Sequence, residues 1–285
     1  MKFNVGNSTK TLVVLVSMAA TSLAAAIQAA EPEECGTGET PAQILSLAKE
    51  AVAASSTVMG SAASRADINV PLYVHVVASS RTEAGGYLSR GTVYKGVSVL
   101  NKSYQGLGFQ YILQGLDYTI DADLADDMGA TPNERLALKK KLRKGSYAAL
   151  NLYVFPRIKD GNNGFCYYPN EFPPESNAFY QDGCTIAARV WSNEQTVPHE
   201  VGHWNGLPHT FSTSCDKDGD GLSDTPRSLK TFAEECSQVV DTCPGQPGKD
   251  PIKNFMSYGS CRSEFTRDQV ALMKTSWSKF RAKWL

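Results

Sequence analysis

The sequence predicts an α/β fold of the α+β kind, in which a mixed, twisted sheet with backing helices precedes a loop-rich, disulfide-linked C-terminal subdomain. Three observations support this prediction. Apolar runs typical of strands alternate with amphipathic helical segments between residues 68 and 190. Another helical segment follows at 196–205. Beyond Gly206, regular structure is sparse until 265–284, and four of the seven cysteines lie in this part of the chain.

Residues 1–30 have the pattern of a secretory signal peptide. Lys2 and Lys10 precede an apolar run at 12–26, and small residues suited to cleavage follow. A transmembrane helix is the competing interpretation, but the run is short and rich in alanine. We therefore expect a secreted, extracellular protein without a membrane anchor, in a compartment that favours disulfides.

Residues 31–67 are rich in alanine, serine, glutamate and threonine, with one helical segment near 41–54. This composition predicts a propeptide or a loosely attached N-terminal arm. The net charge of −1 argues against a nucleic-acid partner or a membrane-surface role.

The elements between 68 and 190 follow from periodicity. We expect helices at 93–105 and 132–144, and strands at 68–78, 109–113, 117–120, 150–155, 165–168 and 185–190. His75 is alone in the first strand, which is more typical of a hydrogen-bonded core residue than of a metal ligand. The run Lys139–Lys141 is expected to be the solvated face of an amphipathic helix rather than a nucleic-acid contact. Asn101-Lys102-Ser103 is a glycosylation sequon.

The segment 199–209 reads His-Glu-Val-Gly-His-Trp-Asn-Gly-Leu-Pro-His. On a helix, His199 and His203 lie on one face and can reach one metal ion. Gly206 can then end the helix in a left-handed conformation, which returns His209 as a third ligand. Three nitrogen ligands leave a fourth zinc position open, as in catalytic sites. A core helix with buried histidines is the alternative, but three of the chain's four histidines lie in this window.

Two helix starts carry recognisable end signals. Thr196 is expected to cap the helix that bears the histidines, with Pro198 in its first turn, where a missing N–H costs nothing. Thr266 and Gln269 have the spacing of a capping box for the C-terminal helix.

The spacing H-E-x-x-H-x-x-G-x-x-H is the metzincin zinc signature, and a second motif, Asn-Phe-Met-Ser-Tyr, follows at 254–258. Metzincins place a methionine turn beneath their zinc histidines, and a tyrosine two residues later can approach the metal or a substrate oxyanion. We expect Met256 to occupy that turn and Tyr258 to lie beside the metal. Simple packing of an apolar pentapeptide is the alternative.

With both motifs in place, the chain from about residue 68 to residue 285 resembles the pappalysin (cytophagalysin) family of metzincins, most closely its fungal secreted extracellular metalloproteases. The resemblance rests on an ordered series of short motifs: His-Glu-Val-Gly-His-Trp, His209-Thr210-Phe211 with Cys215, Asp224-Thr225-Pro226, the 254–258 motif, and Cys261 with Phe265-Thr266 and Gln269. It implies a zinc endopeptidase that acts on proteins or peptides, with an upper subdomain (68–205), a lower subdomain (206–285) and a cleft between them. We expect a monomer.

The resemblance also implies a disulfide pattern, although six cysteines alone allow 15 pairings. The implied pairs are Cys215 with Cys243, Cys236 with Cys261 and, for the two that remain, Cys166 with Cys184. The chain departs from the family at Pro208, where members usually have a bulky residue. The loop 258–261 lacks the acidic residues of members that select Arg or Lys after the scissile bond, so that preference is not carried over.

Carboxylates alternate along 216–224, with a glycine at the sixth position. This spacing is typical of the first half of a calcium loop, but Arg227 stands where an EF-hand has its bidentate glutamate. A solvated acidic turn is the alternative. Because the family binds calcium near this segment, we expect a calcium site formed by Asp220, Asp224 and Thr225, with Asp216 and Asp218 as further candidates.

The expected reaction is peptide-bond hydrolysis by a zinc-activated water molecule. Glu200 is the expected general base, and Tyr258 is expected to help zinc stabilise the oxyanion. A secreted protein that binds zinc and calcium and engages a target without cleaving it is the rival interpretation. It would be marked by loss of the base, and Glu200 is intact.

Cys35 is the cysteine left over when the other six form disulfides, and Gly36 follows it. It could be a stray thiol or form an intermolecular disulfide. However, a thiolate is a good zinc ligand and could fill the fourth position of the metal. Members of the family look similar here, with a Cys-Gly pair in the prosegment that acts as a switch. The resemblance therefore implies a zymogen in which Cys35 maintains latency.

Overall fold

Five strands between residues 68 and 187 form one mixed sheet. The computed structural model describes residue 1 and residues 34–57, 67–126 and 130–285, so the predicted signal peptide, apart from Met1, lies outside the described residues. The strands are β1 (Ile68–Ala78), β2 (Phe109–Ile120), β3 (Leu150–Phe155), β4 (Gly164–Cys166) and β5 (Cys184–Ala187). Their order in the sheet is β2-β1-β3-β5-β4.

The sheet is parallel except for β4, which pairs antiparallel with β5 and forms one edge. Every residue of the central strand β3 is buried, as expected for a strand covered on both faces. The predicted mixed sheet is therefore confirmed. Strand β5 is shorter than expected, because a 3₁₀ turn at Ala188–Val190 replaces its predicted end.

Strand β2 continues through the break that the sequence predicts between residues 113 and 117. The pairing with β1 shifts by one residue, since Leu72 faces Leu113 whereas Tyr73 faces Gly115. A Cβ atom on Gly115 would lie 2.9 Å from the Tyr73 ring. A bulge with a glycine therefore lets one strand pass this ring where two strands were expected.

The helices are α1 (Ala42–Thr57), α2 (Arg90–Ser103), α3 (Pro132–Leu142), α4 (Asn177–Gln181), α5 (Thr196–Trp204) and α6 (Arg267–Phe280). The helix predicted at 93–105 begins three residues earlier, where the Ser89 side chain accepts the Thr92 N–H. The capping box of α6 is confirmed, because Thr266 and Gln269 bond each other's backbone N–H groups. No helix in the described ranges is long and apolar enough to cross a bilayer.

The N-terminal segment from residue 34 to 57 is packed, which corrects the expectation of a loosely attached arm. Helix α1 lies against α6. Its Ile44, Leu47, Ala48 and Ala51 are all buried in the main hydrophobic core. Burying a leucine or isoleucine side chain contributes roughly 1.5–3 kcal/mol, so the segment is held by ordinary core contacts that its alanine-rich composition did not indicate.

Lys139 is another correction, since the sequence placed it on a solvated helix face. Its side chain is 6% exposed and its Nζ donates to the Gln181 carbonyl at 2.9 Å. The ammonium also lies 4.8 Å from the ring centres of Tyr153 and Tyr167. Contact with two rings compensates the burial of this charge.

His75 is the hydrogen-bonded core residue that was expected. Its Nδ1 lies 3.0 Å from the Asp117 carboxylate and its Nε2 2.9 Å from Asn151 Oδ1. The Asn151 oxygen also accepts the Lys144 N–H. Both ring nitrogens of His75 are thus engaged in hydrogen bonds within the sheet, so neither is left to bind a metal.

The side chain of Asn101, the first residue of the sequon, forms two hydrogen bonds within the fold. Its amide nitrogen donates to the Tyr111 carbonyl at 2.9 Å, and its amide oxygen accepts the Tyr111 N–H at 2.8 Å. The side chain therefore bonds α2 to β2 on both of its polar atoms, so its nitrogen is already engaged.

The part of the chain after α5 has little regular structure. Two short parallel ladders pair β6 (Phe211–Ser212) with β7 (Ser228–Leu229) and β8 (Phe232–Ala233) with β9 (Tyr258–Gly259). Two disulfides cross-link this part, and a third joins the neighbouring strands β4 and β5. The pairs are Cys215–Cys243, Cys236–Cys261 and Cys166–Cys184, which are the pairs implied by the resemblance.

A buried ion-pair cluster attaches the C-terminus to the rest of the fold. Arg281, directly after α6, is 1% exposed and bonds the Asp182 carboxylate at 2.9 Å. It also donates to the Tyr147 and Trp204 carbonyls. Asp182 in turn contacts Arg143 and the Trp204 indole N–H. The end of α6 is thereby bonded to α5 and to the segments that lead into β3 and β5.

Candidate active site and metal centre

Helix α5 carries the first two histidines, and its start differs from the predicted cap. Thr196 is the first helical residue rather than the cap. Gln195 holds the cap position without a side-chain hydrogen bond, and the Asn193 side-chain oxygen accepts the Thr196 N–H at 2.7 Å instead. Pro198 lies in the first turn as predicted. An asparagine placed three residues before the first helical residue can accept a backbone N–H of the first turn. This is the role that the sequence assigned to Thr196.

The end of α5 explains how the third histidine returns. Gly206 has a φ of +97°, the left-handed conformation that was predicted. The Gly206 N–H donates to His203 and the Leu207 N–H to Gly202, as in a Schellman motif. The chain therefore turns back directly after the helix and brings His209 beside the other two histidines.

The three imidazoles meet through their Nε2 atoms. His203 Nε2 lies 3.2 Å from both His199 Nε2 and His209 Nε2. His199 Nδ1 donates to the Phe255 carbonyl at 2.6 Å and His203 Nδ1 to the Leu207 carbonyl at 2.7 Å. Since a carbonyl only accepts, each Nδ1 carries the proton, and each Nε2 lone pair is left for a metal.

Burial keeps these imidazoles neutral. It lowers the pKa of His203 to about 4, and it lowers the pKa of His199 and His209 well below their usual values, helped by neighbouring positive charges. Neutral imidazole is the form that binds metal. Three converging Nε2 atoms of neutral imidazoles fit a tetrahedral zinc ion that keeps its fourth coordination position open.

Cys35 Sγ joins this group. It and the three histidine nitrogens lie within 4.8 Å of one another, the one such cluster of potential ligands found in the described residues. The Cys35 side chain is buried, and it is the free cysteine of the described chain. Burial and the nearby Glu200 charge raise the pKa of the thiol in the absence of a metal.

Glu200 is fully buried next to the cluster. Its Oε2 lies 3.4 Å from Cys35 Sγ and accepts from Thr37 Oγ1 at 3.3 Å. Burial raises the pKa of the Glu200 carboxyl to about 8. A Cβ atom on Gly164, at the start of β4, would lie 2.7 Å from this side chain. Gly164 therefore makes room for the carboxyl group, a role that no sequence motif indicated.

Met256 lies beneath the histidines, in the position expected for the methionine turn. It is fully buried, and its carbonyl accepts the Thr210 N–H, next to His209. A Cβ atom on Gly202 would lie 2.4 Å from Met256 Sδ. Position 202, directly before His203, is thus a glycine because the methionine packs directly against it.

Tyr258 lies beside the metal ligands. Its ring centre is 5.7 Å from that of His199 and 5.2 Å from that of His209. Its hydroxyl donates to the Cys35 carbonyl at 3.4 Å. The hydroxyl therefore faces the same part of the cleft as Glu200 and the thiol.

Arg262 is a residue of this cleft that the sequence did not single out. Its side chain is buried and forms an ion pair of 2.9 Å with Glu34. Its positive charge also acts on Glu200 and Tyr258. No motif marks this arginine, because its position depends on the loop that follows the methionine turn.

The predicted calcium ligands are only partly brought together. Asp220 is buried, and its Oδ1 accepts from Thr225 Oγ1 at 2.5 Å, whereas its Oδ2 has no hydrogen-bond partner in the described part of the chain. Burial raises the pKa of Asp220 to about 7. Asp224 accepts the Asp268 N–H at the start of α6.

The further calcium candidates lie apart from Asp220. Asp218 forms an exposed ion pair with Arg227. Asp216 is exposed and bonds Ser214. Their carboxylates are therefore engaged on the surface rather than directed at the buried Asp220 oxygen.

Comparison with known proteins identifies relatives of this chain. Residues 140–277 match the Peptidase_M43 family model, described as pregnancy-associated plasma protein-A. Extracellular metalloproteases of Sordaria macrospora and Neurospora crassa are 38% and 37% identical to this chain over 285 residues, covering 96% of it and 98% of each relative. Extracellular metalloprotease 1 of Coccidioides posadasii is 38% identical over 280 residues, covering 95% of this chain and 98% of its own.

Among solved structures, Tannerella forsythia mature mirolysin in complex with a cleaved peptide matches with a TM-score of 0.59. The identity is 21%, and the match covers 74% of this chain and 91% of mirolysin. This likeness confirms the predicted metzincin-like fold, and the relatives confirm the resemblance drawn from the motifs. The chain therefore belongs to the M43 peptidase family of metalloproteases.

Proposed function

We propose that this chain is a secreted zinc endopeptidase in which Glu200 is the general base and Tyr258 assists at the oxyanion. His199, His203 and His209 hold the zinc. Zinc, when bound, polarises the scissile carbonyl and acidifies a water molecule. The extracellular location rests on the names of the relatives and on the signal-peptide pattern of residues 1–30.

The observation that carries this proposal is the convergence of three neutral imidazoles on one point, with a buried carboxyl beside it. The position of Cys35 Sγ marks where a fourth ligand lies, and Glu200 Oε2 is 3.4 Å from it. Glu200 takes the proton from the attacking water and passes it to the leaving amine. A binding protein without activity would have no need of this carboxyl, which favours the peptidase over that rival.

Tyr258 is proposed to stabilise the oxyanion. Its hydroxyl donates to the Cys35 carbonyl, which is a backbone oxygen held in the cleft close to the metal site. A substrate carbonyl in this position receives the same hydrogen bond. Donors directed at an oxygen that becomes negative in the transition state lower the barrier.

The test is the Glu200→Gln variant. Glutamine has nearly the same shape but cannot take the proton, so kcat should fall by roughly 10²–10⁴-fold while zinc remains bound at one per chain by atomic absorption. Glu194→Gln is the matched control, because Glu194 is an exposed residue just before α5. Hydrolysis of casein at a comparable rate by zinc-loaded Glu200→Gln protein would contradict the assignment.

Residues 31–67 are proposed to be a propeptide that maintains latency through Cys35. The proposal is supported by the thiol among the zinc ligands and by the Thr37 hydrogen bond to Glu200. A thiolate on the metal would exclude water until the segment is removed.

A calcium ion is proposed as a second, structural metal. Asp220 and Thr225 provide oxygen atoms, and Asp224 acts on Asp220 as a nearby negative charge. The support is the buried Asp220 Oδ2, which has no hydrogen-bond partner among the residues that the structure describes. Oxygen donors of this kind suit calcium.

A further inference from the structure

Arg262 is a buried cation held in a fixed position in the cleft. It is 5% exposed, and its Nε donates to the Gly259 carbonyl at 2.7 Å. A second, longer contact of 3.5 Å joins its Nη1 to the Ser257 carbonyl. Both carbonyls flank Tyr258, so the guanidinium is bound to the backbone on either side of a residue beside the metal. Its charge also acts on Glu200 and on two of the zinc-site histidines, His199 and His209.

The acidic partner of Arg262 belongs to the N-terminal segment. Arg262 Nη2 lies 2.9 Å from Glu34 Oε2, and the Glu34 side chain is 21% exposed. Lys230 also acts on Glu34 as a nearby positive charge. If residues 31–67 are removed, as proposed above, the guanidinium loses this carboxylate. A largely buried cation that loses its partner is strongly disfavoured, so an incoming carboxylate would be favoured there.

The segment around Glu34 lies along the sheet edge as an extended peptide would. The Asn163 N–H donates to the Glu34 carbonyl at 3.1 Å, and the Gly36 N–H donates to the Gly164 carbonyl at 2.8 Å. Cys35 forms a bridge with Gly164 at the start of β4. Pairing with an exposed strand edge is a general way to bind peptides. Cys35 lies at the metal site, so its neighbour Glu34 occupies the place of a residue close to a scissile bond.

We propose that Arg262 is a specificity-determining residue that selects substrates with Asp or Glu directly beside the scissile bond. In the latent protein, Glu34 takes the position of this acidic substrate residue. The inference rests on the proposed peptidase function and deepens it. It also predicts poor cleavage where Arg or Lys takes that place, because two cations would then meet in a buried position.

The first experiment uses the full-length secreted protein after maturation and a proteome-derived peptide library. We expect Asp and Glu to be enriched at one of the two positions that flank the cut. Peptides that differ only by Glu or Gln at that position then give a ratio of kcat/KM. We expect a ratio of roughly 10 to 100 in favour of Glu, from the strength of a hydrogen bond to a charged group.

The second experiment measures the same ratio in three variants. Arg262→Gln should bring the Glu/Gln ratio close to 1, and Arg262→Lys should keep a reduced preference for Glu. Arg81→Gln, which removes an exposed cation, should leave the ratio unchanged. If Arg262→Gln does not fold, the ratio of Arg262→Lys and the library result decide.

The outcomes separate the two proposals. Cleavage without an acidic preference, or an acidic preference that survives Arg262→Gln, would overturn the role of Arg262 and leave the peptidase function standing. A matured, zinc-loaded protein that cleaves no peptide of the library would overturn the proposed function itself.

Discussion

Two glycines of the active site are required by close contacts rather than by backbone conformation. Gly202 lies against Met256 and Gly164 lies against Glu200, and in each case an added Cβ would come closer than 3 Å to the neighbour. Neither glycine has a positive φ. At both positions only a hydrogen atom fits where other residues carry a Cβ. We therefore expect the packing around the zinc ligands to change when one methyl group is added.

This sensitivity can be tested with Gly202→Ala. The new methyl group would lie 2.4 Å from Met256 Sδ, so the buried Met256 side chain must shift. We expect a loss of roughly 1–3 kcal/mol in the free energy of unfolding and weaker zinc retention during dialysis. The matched control is Gly245→Ala, where an added Cβ would meet nothing within 4 Å. Equal stability of the two variants in urea would show that the contact with Met256 is not tight.

At the scale of elements, the N-terminal segment combines two attachments. Glu34 to Thr37 lie in the cleft, whereas α1 is bound through its apolar face to the main core and to α6. The first attachment occupies the site and the second holds the segment in place. Both should contribute to latency, and each can be removed separately.

The attachment at the metal is tested with Cys35→Ala in the full chain. Without the thiol, the fourth ligand position is open, so the variant should mature and cleave substrate sooner than the unaltered protein. Glu39→Gln, an exposed change in the same segment, is the control and should show the normal lag. Equal lag in all three proteins, or a disulfide at Cys35 found by mass spectrometry in the intact chain, would rule out this switch.

The attachment through α1 is tested with Leu47→Ala. Leu47 is 1% exposed, and its truncation leaves a cavity that costs roughly 2–5 kcal/mol. We expect a lower melting temperature of the full chain and a shorter lag, with Lys49→Ala on the exposed face as the control. If both variants melt at the same temperature, α1 contributes little to the latent fold.

At the scale of the whole molecule, calcium would connect parts of the lower subdomain that regular structure does not hold. Asp220 lies in the loop after His209, and Asp224 bonds the start of α6. Zinc-loaded protein stripped of calcium should melt at a higher temperature when calcium is added. At a calcium concentration of 100 times Kd, binding raises the free energy of unfolding by about 2.7 kcal/mol. Asp220→Asn should weaken the effect, and Asp218→Asn, on the exposed ion pair, should not. No shift at millimolar calcium would favour a solvated acidic turn.

What the sequence predicts well is local. The histidine spacing, the left-handed Gly206 and the capping box of α6 depend on residues a few positions apart, and all three have the expected form. The errors concern long-range packing. Burial of Lys139 depends on the rings of Tyr153 in β3, Phe165 in β4 and Tyr167 just after β4, and Arg262 forms its ion pair with a residue more than 200 positions earlier. Composition and periodicity carry no information about such contacts.

The ion-pair cluster around Arg281 affects the order in which the chain can fold during synthesis. Asp182 is made 99 residues before Arg281 and Trp204, at the end of α5, 77 residues before it, but they are buried with its guanidinium between them. While Arg281 is still inside the ribosome, the zinc-binding helix therefore lacks its final anchor. The complete site can form only after Arg281 has been made and has left the ribosome, by which time the N-terminal segment has long been present to occupy it.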